Sequence, residues 1–97
     1  MESQFGERMR TLRENLNLYL RQVAPLLEID TAQLSKIEKG LRQMKREQIP
    51  ILAKVLKADQ KELETLWLAD QLMQLVKDEP TADEALKIVS KNIKNRK

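Results

Sequence analysis

The sequence predicts an all-α fold, a bundle of five helices with a long fifth helix and an additional C-terminal one. Three observations predict it. Among 97 residues there are two glycines, three prolines and three aromatics, while Leu, Lys, Glu, Gln and Ala abound, a balance that favours helices. Apolar residues recur at spacings of three and four along nearly the whole chain. Acidic or hydroxyl residues stand immediately before most of these periodic stretches, where a helix start needs a cap.

Phe5, Met9, Leu12 and Leu16 define a first helix over roughly 3–16, with Ser3 as its cap. Leu20, Val23, Leu26 and Leu27 define a second of about two turns, interrupted by "EID". Pro25 lies inside it, where a proline removes a backbone hydrogen bond, so a kink or a late start is expected. Asp30, with Gln33 three residues on, forms a capping box that starts helix 3 at Thr31, and Gly40 stops it. Ile49, Leu52, Ala53 and Leu56 mark helix 4, with Pro50 a milder obstacle of the same kind near its start. Asp59, with Glu62 three residues later, opens helix 5, which runs through Leu63, Leu66, Trp67, Leu72, Leu75 and Val76 to the "DEP" stop at 78–80. Thr81 and Glu84 repeat the capping signal for helix 6, whose stripe is Ala82, Ala85, Leu86, Val89 and Ile93. The basic end "KNIKNRK" is expected to fray.

The chain contains neither cysteine nor histidine. Disulfides, thiolate or imidazole metal sites and Ser-His or Cys-His nucleophiles are thereby excluded. No acid/base pair can be assembled from the remaining carboxylates and lysines. The expectation is a non-enzyme without cofactor or metal. The N-terminus lacks the order of a signal peptide and no apolar run is long enough to span a bilayer, so a soluble, cytoplasmic protein without a membrane partner is expected.

Charge is polarised along the chain. Residues 1–57 carry eleven Lys/Arg against seven Asp/Glu, residues 58–90 three against eight, and residues 91–97 four against none. Lys36, Lys39, Arg42, Lys45 and Arg46 form the densest positive segment before the tail. In helix 3 only Leu34 and Ile37 look built for a core, leaving Thr31, Ala32, Ser35, Lys36 and Lys39 outward. Two short helices around a tight turn, the second with a small, polar and basic outer face, fit a helix-turn-helix whose second helix enters a major groove about 12 Å wide.

From about Phe5 to Leu66 the sequence resembles the Xre/Cro-type, or phage-repressor, helix-turn-helix regulators. The resemblance rests on V-A-x-x-L-x-I at Val23 to Ile29, S-x-I-E-x-G at Ser35 to Gly40, and L-A-x-x-L at Leu52 to Leu56 followed by the acidic cap Asp59. It implies a repressor-like DNA-binding domain over 1–66 and a C-terminal helical extension over 67–97 that serves dimerisation and ends in a basic tail. It implies double-stranded DNA as partner, transcription regulation as function and a homodimer as the active form. Position by position it places Thr31, Ala32 and Lys36 at base-reading positions with Ser35 beside them, and Lys39, Arg42 and Arg46 at phosphates or toward the minor groove. It pairs Arg13 with Glu38 as a structural ion pair. Trp67, Leu72, Met73 and Val76 are the expected dimerisation residues, the competing arrangement being helix 6 folded back over helix 5 within one chain.

Several residues depart from the family pattern. Tyr19 and Leu20 replace a capping Thr or Ser and a phosphate-contacting Gln. Glu28 replaces a turn Gly, from which a turn of different shape is expected. Met44 and Lys45 replace a Pro and a capping hydroxyl. With no second domain to sense a small molecule, regulation is expected through concentration, dimerisation or a protein partner. Size and the style of helix 2 are similar to restriction-modification controllers. The alternative function is an antitoxin or other protein-interaction module using the acidic C-terminal helices.

Overall fold

The computed structural model describes residues 3–96 as six α-helices and two short 3₁₀ turns. They are α1 (Gln4–Asn15), α2 (Leu20–Val23), α3 (Thr31–Glu38), α4 (Ile49–Leu56), α5 (Gln60–Val76) and α6 (Ala82–Asn95), with the turns at Ala24–Leu27 and Arg46–Gln48. Helices α1 to α5 surround one core in which Met9, Val23, Leu34, Ile49, Leu52 and Leu63 are wholly buried. Lys97, in the expected basic tail, lies outside the described residues.

α1 begins as its sequence requires, with Ser3 Oγ accepting the Gly6 N–H at 2.8 Å. A second cap comes from far along the chain. Asp70, on α5, accepts from Ser3 Oγ at 2.6 Å and from the backbone N–H groups of Gln4 and Phe5, both at 3.0 Å. A carboxylate there satisfies donors that no helix can satisfy internally and opposes the positive end of the helix dipole.

The second helix starts at Leu20 without delay, but its α-helical part ends at Val23, two residues before Pro25. The chain tightens from α-helix to a 3₁₀ turn at Ala24–Leu27, with the proline in its first residues where no donor is needed. Tyr19 offers no side-chain cap; instead Gln22 Oε1 accepts the Tyr19 N–H at 2.7 Å. Contrary to the expected change of shape, Glu28 adopts the left-handed conformation a glycine would take, with φ 59° and ψ 37°. Asn17 and Lys57 do likewise at the ends of α1 and α4. Pro50 falls in the first turn of α4 and leaves it intact.

At α3, Asp30 Oδ1 accepts the Gln33 N–H at 2.7 Å, and Gly40, at φ 78°, closes the helix. The Gly40 and Leu41 N–H groups return to the carbonyls of Ile37 and Lys36 at 3.1 and 2.8 Å, the two bonds of a Schellman end.

The C-terminal part departs from expectation at three points. Asp59 caps α5 through the Lys61 N–H at 3.2 Å, while Glu62 faces Arg8 at 3.4 Å. Thr81 makes no capping bond and sits at φ −99°, ψ 19°, so the Thr81/Glu84 signal is not used. The "KNIKN" stretch is helical to Asn95 instead of frayed. None of the α6 residues is buried, and α6 stands off the bundle. The radius of gyration is accordingly 15.1 Å, against about 12.5 Å for a compact domain of this length.

Two contacts orient α3. Arg13 and Glu38, each 9% exposed, form a bidentate pair: Nε to Oε2 at 2.7 Å and Nη2 to Oε1 at 3.0 Å, with Nη1 also donating to the Leu18 carbonyl at 2.7 Å. At Gly6, α1 passes so close to the end of α3 that a Cβ would overlap the Glu38 carbonyl and lie 2.8 Å from that of Ile37.

Three stability changes follow, each measurable by urea unfolding. Gly6→Ala lowers stability by about 2–3 kcal/mol, because backbone must move to admit the methyl. Arg13→Ala lowers it by about 3–5 kcal/mol by leaving Glu38 buried and unpaired, whereas replacing both partners by apolar residues recovers most of that loss. Glu28→Gly raises stability by about 0.5–1 kcal/mol, the relieved left-handed strain exceeding glycine's extra unfolded-state entropy.

Candidate nucleic-acid interface

α2, the 3₁₀ turn after it, the Glu28–Asp30 turn and α3 make a helix-turn-helix. Helical spacing places Thr31, Ala32, Ser35, Lys36 and Lys39 along one side of α3, opposite the buried Leu34 and Ile37. Thr31, Ala32, Lys36 and Lys39 are exposed and Ser35 is half-buried. No large side chain stands on this side, so a flat surface with two cations can approach a groove.

The inner side is held by charge as well as packing. The Arg13 guanidinium has its pKa raised, chiefly by its hydrogen bond to Glu38, with desolvation opposing. A raised pKa means stability is retained below the unfolded value and lost only as pH rises through the folded one. The Arg13 charge therefore persists throughout the pH range in which the protein works.

Beyond α3, Gly40 to Lys45 form an irregular segment carrying the exposed Arg42. Arg46 is exposed too, but its guanidinium carbon lies 4.9 Å above the Trp67 ring. The indole Nε1 of Trp67 donates to the Met44 carbonyl at 2.7 Å. At the start of α2, Leu20 turns partly into the core. The exposed Arg21, stacked 4.4 Å over Tyr19, supplies a cation beside that position. The i, i+2 aromatic and arginine pair was the only signal of it in the sequence.

The residues expected at a dimer contact separate into two groups. Trp67 is 9% exposed and belongs to the core, whereas Leu72 and Met73 are 41% and 52% exposed and Val76 is half-buried. Trp67 and Asp70, just past residue 66, pack against Met44 and the start of α1.

Among the described residues there is no cluster of carboxylates able to hold a metal ion, and no helix is long and apolar enough to cross a membrane. No curated protein and no solved structure matches the chain. A family model described as a helix-turn-helix domain matches residues 4–66. That span covers α1 to the first part of α5, the whole scaffold around α3, and the chain belongs to this helix-turn-helix family of DNA-binding proteins.

Proposed function

We propose that this protein is a cytoplasmic, non-enzymatic transcriptional regulator of the Xre/Cro type that reads the major groove with α3 as a homodimer. The observation that carries this reading is the outer side of α3, small, polar and basic at Thr31, Ala32, Ser35, Lys36 and Lys39, and fixed to the scaffold by a buried bidentate pair behind it.

Lys36 suits guanine O6 and N7, and the methyl groups of Thr31 and Ala32 suit a thymine methyl. Lys39, Arg42 and Arg46 neutralise phosphates, contributing affinity and salt dependence without sequence information.

The two-copy form is supported by apolar surface the monomer leaves uncovered. Leu68, Leu72, Met73 and Leu75 on α5 are exposed, as are Ile88, Val89 and Ile93 on α6. In a domain of this size such a patch marks an interface. A twofold pair joined there presents two α3 helices to half-sites about one helical turn apart. The unit responsible for DNA is the domain around α3, and residues past the core serve assembly.

Selection of bound duplexes from a random pool is expected to return a palindrome with that half-site spacing; recovery of no preferred sequence would instead favour a protein partner for the acidic C-terminal helices. On the selected site, Lys36→Ala weakens binding by about 1–3 kcal/mol while leaving random DNA little affected. Arg42→Ala weakens both alike and reduces the salt slope by about one unit. Equal losses for both variants on both DNAs would contradict this division. Sedimentation equilibrium at tens of micromolar is expected to give a dimer that Met73→Asp converts to monomer.

A further inference from the structure

The basic segment after α3 has no helix or strand of its own to fix its path between Leu41 and Lys45. The Lys45 N–H donates to Gln48 Oε1 at 3.0 Å, and a side chain of α5 supplies a further anchor. Trp67 holds the segment at two points: its indole N–H bonds the Met44 carbonyl at 2.7 Å, and its ring face lies under the Arg46 guanidinium at 4.9 Å. The Met44 side chain is itself 2% exposed, so this anchor is inside the core. An indole can do both, since the N–H lies along the ring edge while a cation is attracted to the face.

The consequence for Arg46 is orientation. A free arginine on the surface samples many rotamers and must surrender that freedom on binding. A guanidinium held 4.9 Å over a ring has already surrendered much of it, and its N–H groups stay available to donate to phosphate oxygens. We propose that Trp67 is a positioning residue for DNA binding: it holds the Arg46 guanidinium in place for a backbone phosphate. This rests on the DNA reading above. It assigns Trp67 a role within one copy, distinct from a dimer contact.

The test measures affinity for the selected duplex, in the full chain, across a salt series. Arg46→Ala is expected to lower affinity about threefold to tenfold and the salt slope by about one unit. Arg46→Lys keeps the charge and a cation for the ring face, and is expected to keep the slope. Trp67→Leu, which leaves every charge in place, is expected to lower the slope as Arg46→Ala does, with no further lowering when the two are combined. Trp67→Phe keeps a ring face and is expected to keep the slope.

A merely structural Trp67 would lower melting temperature without changing the slope of the folded fraction. Wild-type slope in Arg46→Ala would overturn the proposal even if Trp67→Leu does not fold. An additive loss of slope in the Trp67→Leu, Arg46→Ala double variant would also overturn it. If the unaltered protein binds no duplex, the DNA reading fails and this proposal with it; if it binds and Arg46→Ala or Trp67→Leu keeps the wild-type slope, the positioning role alone fails.

Discussion

The contact between α1 and the C-terminal turn of α3 is the constraint on which the rest depends. Gly6 lets the two backbones approach to a distance that no side chain would permit, and the Arg13–Glu38 pair then fixes their rotation with two parallel hydrogen bonds. A helix of eight residues has little stability of its own, and α3 owes its direction to these contacts and to the burial of Leu34 and Ile37. Because desolvation offsets most of the attraction between buried charges, the pair contributes little net stability. What it supplies is a single orientation, since any rotation of α3 breaks a planar fork. For the groove-reading role proposed for α3, a single register matters more than extra stability.

α5 is the second organiser, and it works at long range. Asp70 caps the first turn of α1, and Trp67 ties down the segment following α3. One helix thereby closes the domain at its start and braces the part nearest the proposed phosphate contacts. Beyond Asp70, α5 leaves the core and its apolar residues emerge into solvent, followed by an α6 with no buried residue. The same helix thus runs from the scaffold into the surface proposed for assembly, one rigid element spanning both.

The turns show where the fold accepts cost. Asn17, Glu28 and Lys57 all take the left-handed conformation without glycine. At Glu28 the strain is held by backbone bonds from Glu28 and Ile29 to the carbonyls of Pro25 and Ala24 at 3.0 and 3.2 Å. The turn between α2 and α3 therefore keeps its shape although its residue type argued against it. Pro25 is accommodated in a similar way, by a switch to 3₁₀ geometry with the proline in the first residues of the turn, where the missing donor matters least. In both cases the packing of Val23, Ala24 and Leu27 overrides a local preference.

The sequence by itself determined what depends on neighbours a few residues apart. The helix spans follow from apolar spacing, and the start and stop of α3 from Asp30, Gln33 and Gly40, because caps act over three or four residues. Its outward set was legible for the same reason: Leu34 and Ile37 fix which side is inner, and the rest follows from 3.6 residues per turn. Tertiary structure alone decided the contacts between residues distant in sequence. Asp70 reaches Ser3, Gln4 and Phe5 across 65 to 67 residues, Trp67 reaches Met44 across 23, and Glu62 turns from its own helix start to Arg8. Nothing periodic marks such partners, since a carboxylate or an indole reads the same whether it faces solvent, a distant helix terminus or a passing carbonyl. It also decided that Thr81 would leave its capping role unfilled, because a cap forms only where the backbone entering the helix takes the extended conformation, and at Thr81 it does not.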